Sequence, residues 1–441
     1  MNDTGSKSYL DDSKLLGQQM HEMVKDLFPI CRSITGEGVR ETLNYLKARN
    51  PQLTIHSISS GKKVFDWTIP DEWTIRSAFI EDESGNRIVD MSTNNLHVIG
   101  YSEPVDEFMP LKKLEQNLYS LPDQPDAIPY ITSYYKKRWG FCLTHKQRES
   151  LKDGIYHVVI DSEKKPGVLN YADLIIPGKS SKEVMLSTYV CHPSMANNEL
   201  SGPVVTSMLA EWISTLKDNF YSYRFIFIPE TIGSIAYLSK NIDHLKKNVV
   251  AGFNISCVGD ERCFSFLPSR NGNTQSDRVA RHVLRNLDAN YRRYTWLDRG
   301  SDERQYCAPG VDLPISSIMR SKYGEYPEYH TSHDDLSLVT PKGLRGGFNA
   351  IRKSIEIIEK NHIYISKILC EPQMGKRELY PTLSGMGISE NVEIMMNFLS
   401  YCDGTNDLLT ISEIMDVRFE LLVPVAKSLI DNAIIEEVSN E

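Results

Sequence analysis

The 441-residue sequence lacks the features of several common protein classes. Its eight cysteines form no CxxC pair, which argues against a disulfide framework and against a zinc site built from thiolates. No window reaches the roughly 18 to 20 uninterrupted apolar residues that a membrane-spanning helix needs. We therefore predict a soluble cytoplasmic protein with reduced thiols and no membrane association.

An excess of basic residues is also missing. The net charge is −9, and the segment from Glu371 onward has four Lys or Arg against thirteen Asp or Glu. The rest of the chain has 45 residues of each sign, so all the excess negative charge lies in this C-terminal segment. Because a phosphate backbone repels such a segment, we expect no binding to nucleic acid.

The hydrophobic pattern divides the chain into regions of different structure. Residues 1–52 carry apolar residues at helical spacing, and residues 126–370 alternate apolar strands with amphipathic helices. That alternation indicates an α/β domain with a mainly parallel, mixed sheet, which we expect both segments to form together. Residues 53–125 alternate apolar and polar residues and predict a β-rich insert. Residues 371–441 predict three short helices followed by a β-wing.

Polar residues follow the apolar runs that we predict as strands. His192 comes after "VMLSTYV", Glu230 ends "RFIFIPE", and Asp260 follows "NISCV". The later segment "YPEYHTSHDDL" adds His330. Because the carboxyl ends of parallel strands meet at one edge of a sheet, we expect these side chains to converge. Histidine and carboxylate without cysteine suit a zinc ion that keeps one position open for water.

Each of these features also has an ordinary structural interpretation. A histidine in a loop is often a surface residue or a hydrogen-bonded structural one. Glu230 can serve as a first-turn carboxylate that the dipole of the following helix stabilises. A three-helix tail often binds DNA, but the acidity of this one favours a structural or protein-contact role.

Five segments of the sequence resemble one known group of proteins. They are "LPDQPDAIPYITSYYKKRWGFCLTHKQRESL", "CHPSMANNELSGP", "IPETIGSIAYL", "GSDERQYCAPGVDLP" and "EYHTSHDDL". The sequence resembles the zinc aminopeptidases of peptidase family M28 (clan MH). More closely, it resembles bacterial aminopeptidase-like proteins with a DUF2172 insert, a DUF4910 peptidase domain and a C-terminal winged helix. The resemblance implies a phosphorylase/hydrolase-like α/β fold for residues 1–52 and 126–370.

The resemblance also implies roles for individual residues. His192 and His330 match the two metal-binding histidines, and Glu230 matches the general base of a glutamate pair of which one member remains. Asn198 stands where the peptidases have an aspartate that bridges two zinc ions, and Ser256 replaces another metal-binding aspartate. Since a neutral amide oxygen is a weak ligand, the site implied is one zinc held by His192, Asn198 and His330.

The segment "GSDERQYC" adds three charged residues. Asp302, Glu303 and Arg304 are candidates for binding a substrate ammonium or carboxylate. The alternative is a charged loop that is only solvated.

Three functions remain open at this point. The first is a zinc-dependent aminopeptidase-like hydrolase that cleaves an amide or peptide bond of a small substrate. The second is a one-zinc acyl-transfer or cyclisation enzyme, because glutaminyl cyclases use one zinc on this fold. The third is a non-catalytic binding or scaffold protein whose C-terminal domain contacts a protein partner or a second copy of the chain.

Overall fold

A computed structural model describes residues 13–379 and 390–438. The chain forms two compact units, which we call the α/β unit (residues 1–352) and the winged-helix unit (residues 353–441). None of the described helices is long and apolar enough to cross a membrane. The helices are α1 (Ser13–Leu27), α2 (Glu37–Arg49), α3 (Leu111–Leu114), α4 (His145–Glu149), α5 (Ser201–Thr215), α6 (Ile232–Asn248), α7 (Gln275–Leu287), α8 (Glu303–Tyr306), α9 (Pro341–Lys360), α10 (Glu390–Ser400), α11 (Leu408–Met415) and α12 (Phe419–Asp431).

An eight-stranded mixed sheet forms the centre of the α/β unit. In spatial order its strands are β1 (Thr54–Ser59), β10 (Val168–Ile176), β12 (Ser222–Ile228), β11 (Glu183–Tyr189), β13 (Val249–Asn254), β16 (Ile315–Met319), β14 (Ser265–Leu267) and β15 (Arg292–Arg293). The four central strands, β12, β11, β13 and β16, are parallel. Every residue of β11 and β12 is buried, as expected for parallel strands covered on both faces. The predicted α/β class with a mixed sheet is confirmed.

A four-stranded antiparallel sheet is the main part of the insert. Its strands are, in order, β5 (Arg87–Asp90), β4 (Glu72–Glu81), β9 (Ile155–Lys165) and β6 (Val105–Pro110). Two small pairs accompany it, formed by β2 (Lys63–Val64) with β3 (Trp67–Thr68) and by β7 (Leu118–Tyr119) with β8 (Phe141–Cys142).

The strand pairing moves both predicted boundaries of the insert. β1 lies within the predicted insert, yet it pairs with β10 and so belongs to the central sheet. The other end of the insert extends beyond residue 125, because β9 pairs with β4 and β6. Local alternation of apolar and polar residues predicts a strand but not its partner, and here the partners decide the boundaries.

The winged-helix unit combines α10, α11 and α12 with a three-stranded sheet. The strands are, in order, β18 (Asp403–Asp407), β17 (Ile363–Ser366) and β19 (Ile435–Glu437). Residues 353–370, which the sequence assigned to the α/β domain, group with this unit because β17 pairs with both β18 and β19. Asp407 caps α11 by accepting a hydrogen bond from the Thr410 amide.

Candidate metal centre

The parallel strands deliver two predicted site residues to one place. His192 lies three residues after the end of β11, and Glu230 lies two residues after β12, its parallel neighbour. His192 Nε2 is 3.7 Å from Glu230 Oε2. Burial raises the pKa of Glu230 and lowers that of His192, but neighbouring groups shift each pKa in the opposite direction. The charge of His192 opposes the rise at Glu230, and Cys191 and Glu199 together raise the pKa of His192 well above its usual value.

His330 reaches the same place from a loop distant in sequence. Its ring centroid is 5.7 Å from that of His192, and Tyr130 contacts both rings edge-on. The Tyr130 amide donates to the His330 carbonyl over 2.9 Å, which fixes the loop. The His330 backbone has a φ of 56°, a left-handed conformation that is uncommon for a side chain of this size. Burial, with a contribution from His192, lowers the pKa of His330 to about 3, so its imidazole is neutral at physiological pH.

Asp334 joins the His330 loop to the loop that carries Asn198. Its two carboxylate oxygens accept hydrogen bonds from the amides of Asn197 and Asn198, over 2.6 and 2.9 Å. These amides belong to a π-helical turn, residues 196–200, that precedes α5. Asp334 thereby holds both predicted metal loops in one arrangement, a role that was not predicted.

The backbone at Glu230 is strained. The Ile232 amide donates to the Glu230 carbonyl over 2.8 Å, and the residue between them, Thr231, has a φ of 65° and a ψ of −75°. These values describe a classic γ-turn, which is rare and costs of order 1–3 kcal/mol for a residue with a side chain. Asp302 stabilises this turn by accepting from the Thr231 amide over 2.7 Å. Such strain is typical of functional sites.

Asn198 presents its amide in a defined orientation. Its Nδ2 donates to the Tyr189 hydroxyl over 2.7 Å, so its Oδ1 faces elsewhere. This oxygen is buried and has no hydrogen-bond partner, and His330 Nε2 is in the same situation. Buried polar atoms without partners are rare in native proteins and indicate a missing water or ion. A neutral imidazole nitrogen and an amide oxygen are both possible ligands, so the donor types of His330 and Asn198 suit a bound metal ion.

The carboxylates that two metal ions require are not at the expected positions. Ser256, two residues beyond β13, is buried with an unpartnered hydroxyl. Asp260, four residues further on, accepts from the amide and hydroxyl of Ser321 and from the Arg262 amide. Because its oxygens are already occupied, Asp260 is part of the internal hydrogen-bond network.

A second group of side chains lies on the other side of the His192 ring. Ligand atoms of Cys191, His192 and Glu199 all lie within 4.8 Å of one another, close enough to hold a metal ion. His192 Nδ1 is 2.8 Å from Glu199 Oε2 and 3.5 Å from Cys191 Sγ. A metal ion bound to His192 could therefore have either Cys191 and Glu199 or His330 and Asn198 as its other ligands.

The three charged residues of "GSDERQYC" do not form a solvated loop. Asp302 and Glu303 are fully buried. The oxygens of Glu303 accept from the Asn254 side chain, the amides of Gly300 and Ser301, and the Tyr323 hydroxyl; the predicted role of Glu303 in substrate binding thus lacks a free oxygen. Arg304 is half-buried, and its Nη2 donates to the Thr231 hydroxyl over 3.0 Å.

A cavity of about 150 Å³ opens at the site. It is lined by His192 and Glu230 and by three aromatic residues, Trp67, Tyr134 and Tyr135. Trp67 and Tyr135 contact each other edge-on, with ring centroids 5.4 Å apart, and are 37% and 57% exposed. None of the three was predicted as a site residue, although Tyr134 and Tyr135 belong to the run "PYITSYY" in the most recognisable of the five segments.

Distant structures share the fold of the α/β unit. A zinc aminopeptidase from Bacillus subtilis has a TM-score of 0.57 at 12% identity, covering 78% of this chain and 94% of its own. A peptidase M28 precursor from Shewanella amazonensis has a TM-score of 0.55 at 10% identity, covering 82% and 99%. At these identities the likeness defines the class of fold, which is that of the M28-type zinc aminopeptidases.

A narrower family is shown by sequence. Residues 21–361 match the domain of unknown function DUF4910, and residues 362–437 match a winged helix-turn-helix family. The chain therefore belongs to the DUF4910 family and has a C-terminal winged helix, as predicted.

Two matches, one by sequence and one by structure, come from Clostridium acetobutylicum. One, described as a "putative polysaccharide biosynthesis protein with aminopeptidase-like domain", is 41% identical over 423 residues and covers 96% of both chains. The other, a crystal structure described as a "putative peptidase", has a TM-score of 0.92 at 39% identity and covers 98% of both chains.

Proposed function

We propose that this protein is a zinc-dependent hydrolase that cleaves an amide or peptide bond of a small substrate. One observation carries the proposal: the ring of a neutral His330, whose buried Nε2 has no partner, lies 5.7 Å from the ring of His192, and His192 lines an open cavity together with Glu230. His192 and His330 would bind the ion through imidazole nitrogens, and Asn198 would add its Oδ1 as a weak third ligand. A bound zinc supplies Lewis acidity and lowers the pKa of water toward about 7.

Glu230 is the proposed general base. Burial raises the pKa of its carboxyl against the opposing effect of His192, which brings its proton affinity closer to that needed near neutral pH. The carboxylate accepts the proton of the attacking water and then donates it to the nitrogen of the leaving amine. Asp302 supports this position through the Thr231 amide and acts as a positioning residue.

The cavity limits the substrate to a small group. A volume of about 150 Å³ has room for one side chain or one small ring, and Trp67 and Tyr135 offer flat faces at its edge. Arg304 is the proposed anchor for a substrate carboxylate, because Thr231 and Ser301 fix its guanidinium beside Glu230. The description of the Clostridium relative makes the amide of an N-acylated amino sugar a second substrate class to test beside short peptides.

We assign the activity to a reducing compartment, the cytoplasm. All eight cysteines are unpaired thiols, which is the usual state of cysteine there. Beyond the substrate, self-association or a protein partner of the winged-helix unit remains the proposed interaction.

The test measures metal and turnover on the same samples. Zinc per chain is determined after dialysis, and hydrolysis is assayed with aminoacyl amides, dipeptides and N-acetylated amino sugars, with and without a chelator. Glu230→Gln should keep its zinc and lose about 10²- to 10⁴-fold in kcat, as expected for removal of a general base. The matched control, Glu325→Gln, changes an exposed glutamate and should leave both quantities unchanged.

The other two functions give different results in this experiment. Cyclisation of a peptide with N-terminal glutamine, without hydrolysis of the other substrates, would identify a cyclase. Absence of both zinc and turnover would contradict the proposal and identify a binding protein that retains the peptidase fold.

A further inference from the structure

We infer that Glu199 is the residue that orients His192 for metal binding, and that Glu199 and Cys191 are not themselves metal ligands. The inference rests on the proposed function, because it concerns the same imidazole. It assigns the metal ion to the side of the ring that faces Glu230 and His330, and not to the side that faces Cys191 and Glu199.

The hydrogen bond between His192 and Glu199 selects one ring nitrogen. Nδ1 donates to Glu199 Oε2 over 2.8 Å, and the Glu199 side chain is completely buried. With Nδ1 bound to Glu199, Nε2 is the ring nitrogen left to bind a metal ion, which would displace its proton, and this atom lies 3.7 Å from Glu230. Metal-binding histidines almost always have such a partner on the second nitrogen, and a carboxylate is a common one.

Arg32 explains why Glu199 is unsuited to binding a cation directly. Its guanidinium is completely buried, and its Nε lies 3.6 Å from Glu199 Oε1. The pair Arg32 and Glu199 is electrically neutral, as buried ionic groups need to be. A dication held by Glu199 would lie close to the buried guanidinium, and the repulsion between them would be strong at low dielectric.

Arg32 also fixes the backbone of His192. Its Nε donates to the His192 carbonyl over 2.9 Å, and its Nη1 donates to the Leu27 carbonyl over 2.8 Å. One side chain therefore restrains both the backbone of the ligand and the carboxylate that orients its ring. These contacts join the loop after α1 to the loop after β11.

The π-helical turn brings Glu199 within reach of His192, seven residues earlier in the chain. Ser194, in the same loop as His192, is not an alternative partner for the ring, because its hydroxyl donates to the Phe28 carbonyl. Cys191 is committed to another contact, because its sulfur accepts from the Glu230 amide over 3.3 Å. The thiol therefore helps to place the general base.

Cobalt(II) binding tests the inference directly. Co²⁺ alone is titrated into the metal-free full-length protein, and its visible and near-ultraviolet absorption is recorded. We expect wild type and Cys191→Ser to bind Co²⁺ with equal affinity and without the near-ultraviolet band of a cobalt–thiolate bond. Glu199→Ala should weaken binding about 10- to 100-fold, as loss of such a partner typically does. Glu199→Gln, which keeps an acceptor for Nδ1–H, should recover part of that loss.

A second variant covers the case in which Glu199→Ala fails to fold because Arg32 is left unpaired. The double variant Arg32→Met/Glu199→Leu removes both buried charges together and should fold, as near-ultraviolet circular dichroism would show, yet bind Co²⁺ as weakly as Glu199→Ala. A thiolate band in wild type that Cys191→Ser abolishes, or full affinity in the folded Glu199 variants, would overturn the inference alone. A wild type that binds neither Co²⁺ nor Zn²⁺ would overturn the proposed function as well.

Discussion

The two units of the chain differ in whether they bury charged side chains. The α/β unit buries several ionisable side chains, among them Arg32, Glu199, Asp260, Asp302, Glu303 and Asp334. In the described part of the winged-helix unit, the buried polar residues are Ser354, Asn361 and Ser412, and none of them is charged. Burying a charge costs several kcal/mol unless it is paired or hydrogen-bonded, so a fold that does so repeatedly needs a compensating network. Among the described residues, such networks of buried charge occur in the α/β unit, which also contains the candidate metal centre.

Within the α/β unit, buried polar residues differ in whether their atoms have hydrogen-bond partners. Asp260 and Glu303 have their oxygens occupied by donors of the fold. In contrast, His330 Nε2, Asn198 Oδ1 and Asp302 Oδ2 are buried without partners. His330 lies beside His192, and Asp302 accepts from the Thr231 amide; His192 and Thr231 both line the cavity. Unsatisfied atoms are expected where a ligand completes the hydrogen bonding.

The largest effect is expected from the metal histidines. His330→Ala should weaken zinc binding by more than about 100-fold, because it removes a ligand outright, and His192→Ala should do the same. The matched control is His333→Ala, an exposed histidine three residues away. Zinc per chain after dialysis measures the effect, and full zinc in both ligand variants would place the site elsewhere.

Asn198→Asp should have a smaller effect of the opposite sign. Wild type should retain at most one tightly held zinc, since an amide cannot supply the negative charge that two neighbouring dications require. The aspartate should raise the affinity for a second ion by on the order of tenfold, limited by the missing carboxylate at Ser256. Elemental analysis of zinc per chain after dialysis, for wild type and for Asn198→Asp, measures the number of ions held. Two tightly held ions in wild type would mean that other carboxylates have replaced the bridge.

Asp302→Asn should change how stability depends on pH. Burial, followed by the charge of Glu230, raises the pKa of Asp302 from its usual 3.8 to about 7. The folded protein therefore holds this proton more tightly than the unfolded chain, and ionisation between about pH 4 and 7 costs stability as the pH rises. Wild type should lose up to roughly 4 kcal/mol of unfolding free energy across this window relative to the variant.

Urea unfolding of the metal-free proteins at pH 4.5 and pH 8 measures this difference. The exposed residue Asp153 provides the control, and Asp153→Asn should parallel wild type at both pH values. If the unfolding free energies of Asp302→Asn and wild type change equally between the two pH values, the pKa of Asp302 is not raised in the fold, and the prediction is wrong.

The smallest effect is expected when duplex DNA is added, because we expect the winged-helix unit to bind it only weakly. The exposed residues of α12, the second helix of the helix-turn-helix, include Glu420, Leu421 and Asp431, with Lys427 as the basic exception. The exposed end of β19 adds Glu436 and Glu437. A duplex titrated into the full-length protein at low salt should show no affinity better than the non-specific range of about 10⁻⁴ to 10⁻⁶ M. Salt-sensitive nanomolar binding would contradict the prediction.

Much of the α/β unit is predictable from local pattern. The apolar runs before His192 and Glu230 are strands β11 and β12, and their parallel pairing brings both side chains to one edge of the sheet. His330 was predicted by its motif, and the structure places its ring 5.7 Å from that of His192. The positions of His192 and Glu230 at strand ends were predictable because strand ends depend on hydrophobic spacing, which is local. His330 came from the resemblance, and its role as a ligand stays a prediction.

Other parts of the site depend on pairing over long separations. Arg32 contacts the His192 carbonyl across 160 residues, and Asp334 contacts the Asn197 amide across 137. Nothing in the local sequence around Arg32 distinguishes it from a surface arginine. Glu303 shows the opposite error: it was predicted to bind substrate, whereas donors from three separate segments occupy its oxygens.

The amino-acid sequence by itself determined the strand order along the chain, the position of each histidine after its apolar run or in its motif, and the acidic composition of the C-terminal segment. Only the tertiary structure decided which buried polar atoms are satisfied and which are left for a ligand. The physical reason is that hydrophobic periodicity acts over a few residues, whereas a buried charge is stabilised by whichever donors the folded loops bring to it. For Glu199 those partners are Arg32 and His192, and their meeting is a property of the fold.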